Sequence, residues 1–279
     1  MASPTITWSA LQASSRQAKK MTSRFNANRV GFQTIVRREF GRIIRIWGQT
    51  IVPPAITATL YFVIFGGVIG SRVGDVGGYS YMQYIAPGLI MMTVITNSYG
   101  NVVSSFFGAK FGKHIEEILV SPLPNYLIVT GYMMGGMLRG LMVGAVVSAI
   151  AVAFTHLNVA HPFIVIGAVL LTSIVFALAG MLNGIFAKNF DQISFIPTFI
   201  LTPLTYLGGV FYSVKALPLL AQNLSHANPI LYMVGAFRFG VLGVADVDVR
   251  LAFAIMLSAA IALFTTALWL LKRGTGLRE

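Results

Sequence analysis

The chain has no cysteine. Disulfides, thiol nucleophiles and Cys-ligated metals are therefore excluded. Acidic side chains are scarce too: eight Asp and Glu stand against twenty Lys and Arg in 279 residues. Charged residues of both signs make up 10% of the chain, where a soluble domain carries about 25%. What fills the space is apolar, with 56% hydrophobic residues and a mean hydropathy of +0.77. Such a composition belongs to an integral membrane protein. The net charge of +12 would suit nucleic acid, but its distribution does not. Nine of the twenty cations precede residue 46, and Lys272, Arg273 and Arg278 close the chain. Basic ends around apolar runs are cytoplasmic flanks of membrane spans, and no nucleic-acid partner is expected.

Catalytic patterns are missing as well. The nearest approach to a phosphate-binding loop is "GAKFGKH" at 108–114, one residue short, with His114 where a Ser or Thr would hold magnesium. No strand is expected before it, so the match is chance. There is no G-x-S-x-G and no H-E-x-x-H. His156 and His161 are five apart on a turn rather than i, i+4 on one helix face. The plain reading of all four histidines is an interfacial or hydrogen-bonded side chain. No catalytic residue, no metal site and no cofactor are expected in this chain, which is not read as an enzyme.

Six charge-poor apolar runs are long enough to cross about 30 Å of hydrocarbon: about 50–70, 84–107, 126–154, 163–187, 194–212 and 251–271. In lipid each must satisfy its own backbone hydrogen bonds, so each is predicted to be a helix. With a cytoplasmic N-terminus, fifteen Lys and Arg fall inside and four (Arg72, Lys215, Arg238 and Arg250) outside. That bias places both termini and the 108–125 segment in the cytosol. No Asp or Glu lies within any run. Ion-coupled transporters generally hold intramembrane carboxylates to exchange a proton or bind a cation, so transport energy must arrive from elsewhere. Arg139 is the single charge inside a run; it either snorkels to the inner interface or lines a route across the membrane.

Before the first run the wheel places Val36, Phe40, Ile43, Ile44 and Trp47 on one face, and Arg38, Arg42 and Arg45 on the opposite one. This predicts an amphipathic helix in the inner-leaflet interface, cations near anionic lipid. A targeting peptide is the weaker reading, because nothing resembles a cleavage site. Residues 213–250 are too polar to span and too apolar to be fully solvated, and Pro218 and Pro229 break them. A short re-entrant helical pair on the outer side is expected there. Gly66 and Gly67 in the first run, and Gly208 in the fifth, permit close helix approach, within the chain or across a dimer seam.

"GAKFGKHIEEILVSPLPN" carries Glu116 and Glu117, a quarter of all the carboxylates, between two apolar runs. Two helical turns are predicted from Lys113 to Val120, stopped by Pro122 and Pro124, with Ile115 and Leu119, joined by Ile118, as an apolar patch beside the acids. An anionic leaflet repels such a stub, so a cytosolic partner is expected to take it. "KHIEEILVSPLPNYLIVTGYM" and "PLTYLGGVFYSVKALPLLAQNLSHANPILYMVGAFRFGVLG" resemble, respectively, the coupling segment and the C-terminal signature of the membrane subunits of ABC-2 type exporters. In the second, Pro203, Gly208, Gly209, Phe211, Pro218, Asn228, Pro229, Tyr232, Arg238 and Gly243 fall where that pattern expects them.

The resemblance covers about residues 30–275. It implies a polar basic extension over 1–30, a transmembrane domain over 31–275 and a cytoplasmic tail over 276–279. It further implies an all-α integral membrane protein with six transmembrane helices, an N-terminal interface helix and outer re-entrant helices before the last span. Two copies would form the pathway in a bacterial inner membrane, with two copies of a cytosolic ATPase that binds the ATP and magnesium. Phe40, Arg42, Arg45, Trp47, Lys113, Ile115, Glu116, Glu117 and Leu119 would couple to that ATPase. Gly66, Gly67, Pro203, Tyr206, Gly208 and Phe211 would line the pathway or dimer seam. Pro218, Asn228, Pro229, Tyr232 and Arg238 would build the re-entrant segment. Members carry drugs, lipids, glycolipids or polysaccharides, and the sequence does not choose among them. A secondary transporter and a non-transporting scaffold are the alternative classes.

Overall fold

The computed structural model describes residues 8–276 apart from Ala245, and the backbone alone over 8–25, 67–69 and at 71. The described chain is helical almost throughout. Helix α1 (Trp8–Arg45) is continuous through residue 30, where the sequence changes character. Helix α2 (Trp47–Tyr61) runs on as a π-wound segment (Phe62–Ile69) and a last turn, α3 (Gly70–Val73). A hairpin of β1 (Asp75–Val76) and β2 (Tyr79–Ser80) follows. Its two-residue turn needs positive φ at both positions, which Gly77 and Gly78 supply (63° and 84°). Ser80 and Gln83 then close a capping box that starts α4 (Tyr81–Phe111).

Helices α5 (His114–Val120), α6 (Asn125–Thr155) and α7 (Pro162–Phe186) come next. The following stretch is broken into α8 (Phe190–Ile196), a second π-wound segment (Pro197–Leu201) and α9 (Thr202–Leu207). A helical pair, α10 (Leu219–His226) and α11 (Pro229–Leu242), precedes α12 (Val249–Arg273).

Among the described residues, four stretches are long and apolar enough to cross a membrane: Trp47–Gly66, Asn125–Thr155, Pro162–Phe186 and Val249–Arg273. They cover the first, third, fourth and sixth expected runs. The second run lies in α4, whose 31 residues reach about 46 Å at 1.5 Å per residue. Thr93, Thr96, Asn97, Ser98 and Asn101 dilute its apolar content. The physical reason is position. Helix α4 packs most extensively against α6 and α7 and also touches α11, so little of it needs to face lipid. The fifth run is interrupted by Pro197 and Pro203 and by its π turns.

Close approach holds the centre together. A Cβ at Gly180 of α7 would stand 2.5 Å from the Tyr99 carbonyl oxygen of α4, so only glycine allows this contact. Near the end of α4 Lys110 Nζ donates to the Ile185 and Ala187 carbonyls (2.8 Å each), supplying donors to the end of α7.

Candidate coupling and pathway sites

The α4–α5 turn is tight. Lys113 adopts a left-handed conformation (φ 59°), which is costly for a residue with a Cβ. Helix α5 then turns one face inward. Ile115 is 1% exposed, and Ile118 and Leu119 pack beside it against the same inner core. Glu116 and Glu117 remain exposed. The apolar patch expected to meet a partner is thus consumed within the chain. Ile115 is the anchor of α5, and the carboxylates are what it presents outward. Helix α1 closes onto the same region: Gly31 sits against the Leu123 side chain, and a cavity of about 250 Å³ between them is lined by Thr34, Arg38, Glu117 and Ser121.

Helix α1 itself is faced differently from the wheel. Ile35, Glu39 and Ile43 are buried (5%, 1% and 1% exposed), while Phe40, Ile44 and Trp47 are exposed. Ile43 therefore leaves the apolar outer stripe, and Arg38 and Arg42 turn toward the bundle. The local cause lies on α6. A Cβ at Gly131 would be 2.6 Å from the Ile35 side chain, and one at Gly135 2.8 Å from Glu39 Cβ. Two glycines four apart thus receive two α1 residues four apart, and over that turn the helices run side by side.

Glu39 is the functional residue that sequence reasoning missed. Its carboxylate pairs with Arg42 (3.2 Å) and Arg38 (3.6 Å) and accepts from Ser105 Oγ (2.5 Å). Arg42 also donates to Asn101 Oδ1 (2.7 Å) and the Asn101 carbonyl (3.0 Å), and Arg38 to the Tyr132 hydroxyl (2.6 Å). A buried carboxylate costs several kcal/mol unless its lone pairs are met, and here both oxygens are. The bundle therefore contains a carboxylate although none lies in an apolar run. Arg139 has Arg42 as its charged neighbour, and its Nε is buried without a hydrogen-bond partner.

A second network closes the opposite end. Arg238, counted by sequence among the outer cations and placed in the re-entrant segment, is 1% exposed inside α11. Its guanidinium lies 4.2 Å above the Tyr84 ring centroid and donates to the Gly209 carbonyl (2.6 Å) and the Tyr84 hydroxyl (3.2 Å). Asp246 stands 3.9 Å away and accepts from Tyr84 (3.1 Å), Ser213 Oγ (2.8 Å) and the Val214 amide (3.3 Å). Around it the expected re-entrant residues are structural. Pro218 and Asn228 precede α10 and α11, the Asn228 side chain accepting from the Ile230 amide. Pro229 opens α11, and Tyr232 donates to the His226 carbonyl (2.9 Å).

The expected seam residues divide. Gly66 abuts Met82, and a Cβ at Gly208 would be 2.7 Å from the Ile230 side chain, so both serve packing within the chain. Phe211 stacks on Phe65 (5.3 Å) and meets Tyr61 and Tyr206 (5.7 Å each). Gly67 lies in the first π-wound segment. Pro203 and Tyr206 are exposed, as are Ile56, Leu60, Val63, Phe195 and Phe199 on the same two broken helices. His161 stacks 5.1 Å from Phe239.

The sequence profile of the ABC-2 type transporter family matches residues 30–242. The inner membrane transport permease YadH of Escherichia coli K12 is 54% identical over 250 residues, 90% of this chain and 98% of that relative. Nodulation protein J of Rhizobium leguminosarum bv. viciae is 26% identical over 220 residues, 77% of this chain and 83% of that protein. The Rhizobium meliloti nodulation protein J is 23% identical over 215 residues, with 77% and 82% covered. The matched stretch begins where α1 meets α6 and ends with the last turn of α11, so it holds the Glu39 network whole and the Arg238 network but for Asp246. The chain belongs to the ABC-2 type transporter family and is one of its membrane permeases.

Proposed function

We propose that this chain is the membrane subunit of an ATP-driven exporter in a bacterial inner membrane. Two copies build the pathway, and a separate ATPase binds on the cytosolic side. Family membership implies an ABC ATPase partner, and the chain has no phosphate-binding loop of its own. The observation that carries the reading is the α1–α5 platform. Ile115 and Glu39 are locked into the bundle, while Glu116, Glu117, Arg45, Phe40 and Trp47 stay exposed beside them. Such a platform is fixed to the membrane domain and free toward the cytosol. Lys113 and Leu119 frame it, and Arg42 ties it inward. Six crossings follow if α4 and the broken α8–α9 stretch both span, with both termini cytoplasmic. The exposed apolar side chains of α2 and α8–α9 then form the seam between copies, with Pro203 and Tyr206 on it.

Reversing both acids, Glu116→Lys with Glu117→Lys, is expected to abolish co-purification with the ATPase subunit while membrane insertion persists. Close interfacial charge pairs are worth about 1.5–7 kcal/mol, so the loss is large. Undiminished co-purification removes the platform from this role. Orientation has its own test. A cysteine at Asp75 is expected to label from outside in intact cells, and one at Lys113 only after the membrane is opened; native cysteine is absent. External labelling at 113 reverses the topology.

Ion-coupled transport gains a buried carboxylate at Glu39. Two guanidiniums and Ser105 already occupy its oxygens, however, which leaves it poorly suited to exchanging an ion.

A further inference from the structure

At the cytosolic end, α1 and α4 enclose a cavity of about 460 Å³. Arg37, Arg38, Arg42 and Arg45 line it from α1, and His114 from α5. One carboxylate, Glu39, faces these four guanidiniums, and it is taken up by Arg38 and Arg42. Arg37 and Arg45 have no ion pair or hydrogen bond among the described residues. The Arg42 Nε is buried with no acceptor, and so is the Nδ2 of Asn101, the residue whose Oδ1 binds Arg42. Surplus positive charge thus lines one open space, with unsatisfied donors buried behind it.

The space is open for a reason. Gly41 and Gly108 line it from the two helices, and a Cβ at either would meet no atom within 4 Å. Phe40 and Ile44 on the last turns of α1, and Trp47 at the start of α2, are exposed beside it (46%, 45% and 60%). A cationic cavity beside an apolar stripe is complementary to an amphiphile with an anionic head. Several guanidinium forks on one site suit a phosphate better than a single carboxylate, because its oxygens accept from more than one fork.

We propose that the cavity between α1 and α4 seats the phosphate of an anionic inner-leaflet lipid, whose chains lie along Phe40, Ile44 and Trp47. This rests on the membrane placement given above, but not on the ATPase partner or the direction of transport.

The test uses the full chain, purified alone in detergent and titrated with phosphatidylglycerol or phosphatidylcholine, with bound lipid counted by native mass spectrometry. Two variants are compared with the unaltered protein. Arg37→Gln with Arg45→Gln removes the two unpaired cations. Gly108→Leu fills the cavity at unchanged charge, in a place with room for a side chain. Phosphatidylglycerol affinity is expected to fall about thirtyfold in the first variant, the combined worth of two cations near an anionic surface. It is expected to fall in the second as well, with phosphatidylcholine binding unchanged in both. Undiminished phosphatidylglycerol binding in Gly108→Leu, with a native unfolding profile, overturns the proposal. So does displacement of the lipid by inorganic phosphate at equal concentration, which assigns the cavity to a soluble anion. Loss of ATPase co-purification with lipid binding intact assigns it to protein docking and overturns the proposal equally. The lipid titration contains no ATPase, so its outcome is independent of the Glu116 and Glu117 test.

Discussion

The two arginine networks at opposite ends of the bundle are inverted copies of one idea. In the orientation proposed above, the carboxylate is buried at the inner end: the Glu39 side chain is 1% exposed, and its partners Arg38 and Arg42 are 44% and 31% exposed. At the outer end the guanidinium is buried: Arg238 is 1% exposed and Asp246 11%. The inner network therefore keeps its cations in reach of water, lipid or a partner, and can exchange contacts without stranding a charge. The outer one opens instead by its carboxylate, onto a cavity of about 860 Å³ that Tyr84, Ser213, Arg238 and Asp246 line. Arg238 is met by a carbonyl, a hydroxyl and a ring face inside the protein, so its geometry is fixed unless the surrounding loops part.

That contrast orders three substitutions by expected cost. Arg238→Met should be the most damaging, about 3–5 kcal/mol, because it removes the buried cation that ties the Gly209 carbonyl to Tyr84 and leaves Asp246 without its charge partner. The thermal unfolding midpoint in detergent reads it. A near-neutral result would mean that the outer network does not hold the loops. Glu39→Gln should cost less, about 1–3 kcal/mol, since Gln still bonds Ser105 and the released guanidiniums rehydrate. Finding it costlier than Arg238→Met would invert the comparison. Asp246→Asn should be mildest, about 1 kcal/mol, because an amide oxygen in the Oδ2 place still accepts from Tyr84 and the Val214 amide, the amide NH2 can donate to Ser213 Oγ, and the ion pair it loses is long. A loss equal to that of Arg238→Met would show that the pair acts as one unit.

Much of this was legible beforehand. Hydropathy marked the helices because lipid demands it, and prolines marked the breaks at 218 and 229. The α5 stub was visible from its two acids. Which way it faced was not, because Ile115 finds its core on helices distant in sequence. Glu39 escaped for a similar reason: it lies about three turns before the first apolar run, and its burial is set by glycines of α6. The signal was present as matching four-residue spacings, Gly131 to Gly135 and Ile35 to Glu39, but nothing in the chain aligns the two. Arg238 was counted with outer cations although its own surroundings, "GAFRFG", are apolar. A lone cation in such a helix needs an internal partner, and Asp246 lies two turns on.

Helix α4 has a mechanical consequence. Tyr84 near its outer end belongs to the Arg238 network, and Asn101 and Ser105 near its inner end to the Glu39 network. From Tyr84 to Asn101 is about 26 Å of unbroken helix. Such a rod resists shortening, and the Gly112–Lys113 turn joins it directly to α5. A push received at α5 therefore reaches Tyr84 as displacement rather than being absorbed on the way, and the latch on the far side of the bundle feels the load that the near side takes.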